Sequence, residues 1–451
     1  MPLEHTDSPK LEGVFWLPEN EVQKWPGVIQ LLDYGVTRIT IWQLGEHRHS
    51  FYGSSKTILG EVNSLDRRYV TAKDCYLRKG PSSIAAGPAS TSKNVERLCI
   101  GGEVVIESQL SLLWHGNEAP SADDLVSAED FWFILEGIEG WLGRKLWDIG
   151  DDGSYKAKKH PELTFRVDEG VHASMRVATQ YDWRSPGLKV DTSGEVRMTS
   201  SKPLDVLLFG QFAEHIQKFM CFAWGRQCLI REMCIARDGQ PAASVWCPTW
   251  LSGFPSGEVD KLFPSGTFFM ARDVRPETKP ELVLEKWCDL CAEAEDVVES
   301  IVRVLADSRS TDRRADLVVP ALEKLSDSVA IEEPDWRKGD RDAMLAAVHP
   351  RRVPFWSNLL RRNSNPLKRR LDGLFATYIG DRIDAETRHR VVEELVKFRS
   401  RRFHKGFYEI SDRAWYQAVA VLYFCVLDRL GVDWRPLVTD AGTLSEHYRQ
   451  S

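Results

Sequence analysis

The hydrophobic pattern of the chain changes its period near residue 275, and this change limits the folds open to it. Before that point, runs rich in β-branched and aromatic residues recur, as at residues 27–32 and 37–42 on either side of Asp33-Tyr34-Gly35. Such runs around a turn sequence are typical of a β-hairpin. After it, apolar residues recur at three- and four-residue intervals, which indicates amphipathic helices. The sequence therefore predicts an α+β protein with a β-rich domain over residues 1–275 and an all-α domain over residues 276–451.

The first domain is predicted to be an antiparallel sandwich or a barrel. Further strand candidates cover residues 57–59, 69–77, 104–114, 171–178 and 195–199. Many short strands in succession are typical of these two architectures. One helix, from residue 204 to about residue 224, interrupts the strands.

The second domain is predicted to be a bundle of four or five helices. Candidate helices cover residues 281–305, 312–325, 367–378, 385–404 and 412–430. Gly406 predicts the end of the fourth of these helices, and Ser411-Asp412 predicts the start of the fifth. Their apolar faces suit the interior of a helical bundle.

Composition excludes several classes of protein. With 43% hydrophobic and 28% charged residues, the chain has the composition of an ordinary folded protein. The longest apolar run, residues 418–427, is too short to cross a bilayer, and residues 1–30 lack the apolar stretch of a signal peptide. Nine scattered cysteines indicate reduced thiols. We therefore expect a cytoplasmic protein that has no membrane partner.

The net charge of −7 conceals a strongly basic stretch. Residues 336–406 contain 18 Lys and Arg against 8 Asp and Glu. A basic block inside an acidic protein is a candidate surface for phosphate groups, although a solvated helical surface has the same composition.

Residues 398–406, Phe-Arg-Ser-Arg-Arg-Phe-His-Lys-Gly, concentrate cations around His404 at the predicted end of a helix. Arg399 and His404 are about 140° apart around an ideal helix, so they share a face only where the helix ends. An arginine and a histidine with no carboxylate cluster beside them suit metal-independent cleavage of RNA. The histidine transfers protons, and the guanidinium stabilises charge on the phosphorane. One such pair seldom suffices, so a second subunit would complete the site; the alternative interpretation is a solvated helix end.

The cysteines favour structural roles over a metal centre. Cys288 and Cys291 have the C-x-x-C spacing of a zinc or redox site, but a second pair is missing nearby and the spacing also suits helix packing. Four more cysteines stand at irregular intervals: Cys221, Cys228, Cys234 and Cys247. Irregular gaps of this kind favour buried thiols. We expect no metal and no cofactor.

Three histidines of the first domain are candidate ligand contacts. His47 and His49 alternate and would share one strand face, and His115 follows a later strand candidate. Surface or hydrogen-bonded histidines are the alternative. No glycine loop for phosphate is present, so nucleotide hydrolysis is not expected.

Short motifs follow one another in a characteristic order along nearly the whole chain. In the first domain they are residues 13–18 (Gly-Val-Phe-Trp-Leu-Pro), the strand led by Gly27, residues 58–60 (Ile-Leu-Gly) and residues 70–75 (Val-Thr-Ala-Lys-Asp-Cys). In the second they are residues 320–323 (Pro-Ala-Leu-Glu), 367–374, 399–404 and the apolar segment 414–431. In these motifs and their order the chain resembles the ApeA family of bacterial anti-phage proteins, which have an ApeA-type amino-terminal domain followed by an ApeA-like HEPN domain.

The resemblance implies a ribonuclease that acts in abortive infection and cuts host RNA, with tRNA as the expected class, after a phage is sensed. It implies an obligate homodimer through the HEPN domain, in which two Arg-x4–6-His motifs face one another and Arg399 and His404 are the catalytic pair. The first domain is expected to bind a phage-encoded trigger or to inhibit the nuclease. The alternative, from another functional class, is a catalytically silent HEPN fold that only binds RNA or a partner protein.

Five further residues receive roles from the resemblance. Ser400 supports the motif, although it stands where the family usually has Asn, Asp or His and reaches less far than they do. Glu323 matches a recurrent acidic position; its alternative interpretation is a helix-face carboxylate or the partner of an arginine. The flanking cations are predicted to contact the RNA backbone: Arg401, Arg402 and Lys405.

Overall fold

A computed structural model describes most of the chain. The described residues are 10–32, 36–42, 56–63, 67–79, 104–115, 127–142, 147–149, 155–157, 162–182, 189–237, 240–247, 271, 274, 278–306, 311–326, 338–357, 367–405 and 410–435. They form two compact units, one comprising Met1–Gly140, Arg144–Gln217 and Cys228–Ser256 and the other Trp141–Gly143, Lys218–Gln227 and Gly257–Ser451. Strands dominate the first unit and helices the second, which confirms the predicted α+β class. The predicted boundary at residue 275 stays a prediction.

The strands of the first unit are antiparallel throughout. They are β1 (Lys10–Trp16), β2 (Trp25–Leu31), β3 (Thr37–Ile41), β4 (Lys56–Val62), β5 (Arg67–Lys79), β6 (Val104–His115), β7 (Ser127–Leu135), β8 (Trp147–Ile149), β9 (Tyr155–Ala157), β10 (Leu163–Asp168), β11 (Val171–Asp182), β12 (Lys189–Asp205), β13 (Ile230–Arg237) and β14 (Gln240–Trp246). The predicted hairpin is confirmed, since β2 pairs with β3 from Gly27 opposite Ile41 to Leu31 opposite Thr37. Its turn, residues 33–35, lies outside the described residues.

Six of the strands close into a barrel. Pairing runs from β6 through β3, β2, β1, β4 and β5 back to β6. One edge of β6 pairs with β5 along its length, whereas its other edge pairs first with β3 and then with β14. Through β14 the ring continues into the open sheet β14-β13-β7-β12-β11-β10, and β8 and β9 pair separately. The predicted sandwich or barrel is therefore a barrel that extends into an open sheet.

The barrel core explains several residues of the first-domain motifs. Phe15 is fully buried among the apolar side chains that fill the ring. A Cβ atom added at Gly60 would lie 2.6 Å from the Phe15 ring, closer than real Cβ contacts permit. A Cβ atom added at Gly27 would lie 2.4 Å from the carbonyl oxygen of Thr40 on the neighbouring strand and 3.0 Å from the Phe15 ring. Gly60 therefore makes room for the ring, and Gly27 makes room for the neighbouring strand as well. These motif residues are thus accounted for by packing.

Helix α1 (Ile138–Trp141) is short, and helix α2 (Val206–Trp224) matches the helix predicted from residue 204 to about 224. In the first unit, the Phe209 ring of α2 stacks on Phe131 of β7 at 5.4 Å between centroids. Residues 218–224 of α2 belong to the second unit, where Phe219 and Phe222 contact the fully buried Trp287 at 5.6 and 5.1 Å. Buried aromatic contacts of this kind supply much of the apolar burial that fixes a helix.

The second unit is helical. Its described elements are α3 (Pro280–Glu293), α4 (Glu295–Ala306), α5 (Thr311–Ser326), α6 (Lys338–Ala346), a 3-10 helix (Pro350–Arg352), α7 (Leu367–Ile379), α8 (Ala385–Lys405) and α9 (Asp412–Leu430). Helix α9 is the central one, because it packs against α3, α4, α5, α7 and α8 and buries most of its length. Within the described residues, no helix is both long enough and apolar enough to span a membrane.

One prediction for the second unit was wrong, and two of its elements were not predicted. The single helix over residues 281–305 is two helices, because the backbone of Ala294 leaves the helical region (φ −143°, ψ 50°). Ala294 closes α3 with its N–H and begins α4 with its carbonyl, and each helix then buries its own apolar face. Neither Gly nor Pro marks this break, so packing decides it. Helix α6 and the 3-10 helix were missed because none of residues 342–357 is buried and no apolar stripe signals them.

Candidate functional site

Helix α8 carries the Arg-x4-His motif. It begins after Asp384, whose carboxylate accepts a hydrogen bond of 2.8 Å from the backbone N–H of Thr387 and caps the first turn. Hydrogen bonds to the charged carboxylate, first of all from the backbone N–H of Thr387, lower the pKa of Asp384 below its usual range. A stripe of buried apolar residues fixes the helix against the bundle: Val391, Val392, Leu395 and Phe398.

Polar contacts along α8 fix it further. Arg388 donates a 3.0 Å hydrogen bond from Nε to Asp372 of α7. Glu394 accepts hydrogen bonds from the backbone N–H and the hydroxyl of Ser411, the residue that caps α9. Neither contact is predictable from the sequence, since partners 16 and 17 residues apart leave no local pattern. Together they tie α8 to the two helices on either side of it in the chain.

Arg399 and Glu323 meet in a bidentate ion pair. Arg399 donates from Nε to Oε2 of Glu323 at 2.5 Å and from Nη2 to Oε1 at 2.6 Å. Two parallel N–H···O bonds between a guanidinium and a carboxylate fix the plane of both groups. The Arg399 side chain is nevertheless 40% exposed. Glu323 of α5 therefore holds the guanidinium in one orientation, while solvent or a ligand can still reach it. Of the alternative interpretations of Glu323, the structure shows the partner of an arginine.

Ser400 is engaged on its own helix. Its hydroxyl donates a 2.9 Å hydrogen bond to the backbone carbonyl of Val396, one turn earlier in α8. Such a bond is a common local arrangement for a helical serine. The orienting contact to Arg399 comes from Glu323, on another helix.

The remaining motif residues occupy the last turn of α8. The structure describes the backbone there, but not the side chains of Arg401, Arg402, His404 and Lys405, and Gly406 lies outside the described residues. Because α8 stays helical through Lys405, it does not end between positions 399 and 404. These two positions therefore remain about 140° apart around the helix. Within one chain, the motif does not place them on one face.

The other candidate residues lie in different settings. Cys288 and Cys291 are buried in α3, and the remaining four cysteines singled out above are buried as well. Burial raises the pKa of the Cys247 thiol to about 12. No group of three or more His, Cys, Asp and Glu side chains is placed to hold a metal ion in the part of the chain that the structure describes. His47 and His49 lie outside the described residues, and of His115 only the backbone, in β6, is described.

Comparison with known proteins identifies the family. A model of the ApeA N-terminal domain 1 matches residues 10–278, more than half of the chain. Those residues include every strand described above and all the first-domain motifs. Searches of curated proteins and of solved structures gave no match. The chain therefore belongs to the ApeA family of anti-phage defence proteins.

Proposed function

We propose that the protein is a HEPN endoribonuclease that acts in abortive infection by cutting host RNA, with tRNA as the substrate class, without a metal ion. Arg399 and His404 are its catalytic residues. The observation that carries the proposal is the bidentate ion pair between Glu323 and Arg399, whose two N–H···O distances are 2.5 and 2.6 Å. The pair orients the Arg399 guanidinium on α8, the helix that also bears His404. The surrounding stretch is strongly basic, as expected for a surface that binds the phosphates of RNA.

The chemistry follows from the two side chains. The imidazole of His404 accepts the proton of a ribose 2′-hydroxyl, and the 2′-oxygen attacks the adjacent phosphorus. Arg399 stabilises the negative charge of the phosphorane. The bond from phosphorus to the 5′-oxygen breaks, and that oxygen takes up a proton. The products carry a 2′,3′-cyclic phosphate and a 5′-hydroxyl.

A second subunit completes the site in this proposal. Positions 399 and 404 lie on different faces of α8, so one chain would bring either the arginine or the histidine to a given phosphate. In a homodimer, a phosphate at the interface meets the arginine of one chain and the histidine of its partner, and the second histidine is available to protonate the leaving oxygen. Arg401, Arg402 and Lys405 would contact neighbouring phosphates.

The test compares alanine variants on one helix. Arg399→Ala and His404→Ala should each lower RNA cleavage by the purified protein about 100-fold or more, with EDTA present, and abolish protection against phage. His389→Ala and Arg390→Ala are matched controls, because both residues are exposed on the same helix α8. They should leave cleavage and protection unchanged. Full activity in both motif variants, or a requirement for Mg²⁺, would sink the proposal.

One observation favours the second candidate, a silent HEPN fold that binds RNA or a protein. The Ser400 hydroxyl is committed to the Val396 carbonyl, so it does not supply the longer polar side chain that the family usually has next to the arginine. If the protein is such a silent HEPN fold and its ligand is RNA, the wild-type protein would bind RNA and leave it intact. End analysis of the RNA after incubation separates the two candidates.

A further inference from the structure

The segment between α6 and α7 presents aromatic side chains to solvent. Phe355 is 66% exposed and Trp356 is 39% exposed. Their rings contact each other at right angles, with 6.0 Å between centroids. None of residues 342–357 is buried, so the segment does not form part of the bundle core. Large exposed aromatics that are adjacent in this way are typical of a binding surface.

Two arginines stand beside these rings. His349 caps the 3-10 helix through its Nδ1, which accepts from the backbone N–H of Arg351 at 3.4 Å. The chain then stays helical over residues 353–357. Arg351 and Arg352 stand four positions before Phe355 and Trp356, a spacing that brings side chains to the same side of a helical segment. Within the described parts of the chain, neither guanidinium has a carboxylate partner.

The charge of the surrounding sequence identifies the class of ligand. Residues 343–371 contain seven Lys and Arg and no Asp or Glu. A second copy of such a surface would be repelled by like charge. Phosphates, in contrast, match the cations, and bases can stack on the exposed rings. An aromatic face beside basic side chains is the usual construction of sites for single-stranded nucleic acid.

We propose that Arg351, Arg352, Phe355 and Trp356 form an aromatic platform that binds single-stranded RNA. The two rings stack on bases and the two guanidinium groups contact the phosphates that flank them. The platform is separate from the catalytic residues on α8 and holds an unpaired stretch of the substrate. The inference rests on the proposed function for its ligand class, RNA, but it concerns binding alone.

The experiment measures binding without cleavage. Its probe is a fluorescein-labelled oligouridine of about 12 nucleotides, within the usual range of site sizes for single strands, with 2′-O-methyl groups that remove the attacking hydroxyl. Anisotropy titrations with the full-length protein should show that Phe355→Ala and Trp356→Ala each weaken binding about 5- to 100-fold. The slope of log affinity against log salt should fall by about 1.4 in the variant R351A/R352A, since two phosphate contacts are lost.

Matched controls come from the strand-rich unit. Trp42 is 39% exposed, the same fraction as Trp356, and Lys10 and Lys202 are exposed cations. Trp42→Ala and the variant K10A/K202A should leave affinity and salt slope unchanged. Equal losses in Trp356→Ala and Trp42→Ala would overturn the proposal. So would platform variants that bind RNA normally but lower the dimer fraction in sedimentation, because the surface would then join two proteins. Because the probe cannot be cleaved, loss of nuclease activity elsewhere in the protein does not affect the result.

Discussion

Two ion pairs of the helical unit differ in the exposure of the cation and in the geometry of the contact. Nζ of Lys218 in α2 lies 3.0 Å from Oε2 of Glu299 in α4, and the lysine side chain is only 5% exposed. Glu299 also pairs with Arg303 and is 23% exposed. Arg399 and Glu323 meet through two parallel contacts, and the arginine side chain is 40% exposed. The two carboxylates are similarly exposed, so the difference lies in the cations: Lys218 is withdrawn from water, whereas Arg399 stays hydrated on one side.

The difference separates a structural charge from a functional one. A buried charge makes the fold depend strongly on its partner, because without the partner the charge remains desolvated. An exposed pair contributes little to stability even when its geometry is good. The accurate fork between Arg399 and Glu323 is therefore better explained by the orientation that it gives the guanidinium than by a gain in folding free energy.

The largest expected effect is on the buried pair. Glu299→Gln should lower the free energy of unfolding by about 3–5 kcal/mol, because the desolvated ammonium of Lys218 loses the carboxylate charge that faces it. Urea unfolding monitored by circular dichroism measures the change.

A double variant tests the reason for that loss. Lys218→Met combined with Glu299→Leu removes both charges and keeps apolar volume, so it should recover most of the stability. If the double variant is as unstable as Glu299→Gln alone, packing around Glu299 rather than charge explains the loss, and the contrast between the two ion pairs disappears.

The sequence predicted those elements of the fold whose signals are local. Helix α9 has the residue range expected for it, because Ser411 supplies an N-cap and Gly431 a left-handed C-cap (φ +78°). The hairpin of β2 and β3 was equally clear. The break at Ala294 was not predicted, since no turn residue marks it and tertiary packing determines it. The closure of the barrel also rests on pairings between distant strands, which no local pattern encodes.

The candidate site shows the same limit. Sequence singled out Arg399 by its neighbours and Glu323 by resemblance, but the contact between them joins residues 76 positions apart. No spacing rule connects them. The sequence predicted the end of α8 at about residue 404, one residue before its observed end at Lys405. Positions 399 and 404 would share a face only if the helix ended between them, and α8 is helical through Lys405.

A smaller effect on stability, but a clear one on activity, is expected for the exposed pair. Glu323→Gln should lower the free energy of unfolding by less than about 1 kcal/mol. RNA cleavage should nevertheless fall about 10- to 100-fold, because the guanidinium is no longer held in one plane. Single-turnover kinetics give the rate, and a double-mutant cycle with Arg399→Lys should show that the two losses are not additive. Additive losses would mean that Glu323 acts independently of Arg399.

The smallest effect is expected for a third pair, Asp296 of α4 with Lys324, the residue after Glu323 on α5. The hydrogen bond from Lys324 lowers the pKa of Asp296, and backbone N–H groups at the start of α4 add to it. Because the pKa of Asp296 is lower in the folded state, its carboxylate stabilises the fold at pH values above the unfolded pKa of about 3.9. This stabilisation is lost as the pH falls through the pKa of the folded state. Both side chains are exposed, so Asp296→Asn should lower the free energy of unfolding by less than about 1 kcal/mol at neutral pH.

The measurement is the free energy of unfolding of wild type and Asp296→Asn from neutral to acid pH, and the two curves should converge as the pH falls. A loss at neutral pH as large as that of Glu299→Gln would show that exposure does not decide the strength of ion pairs in this bundle.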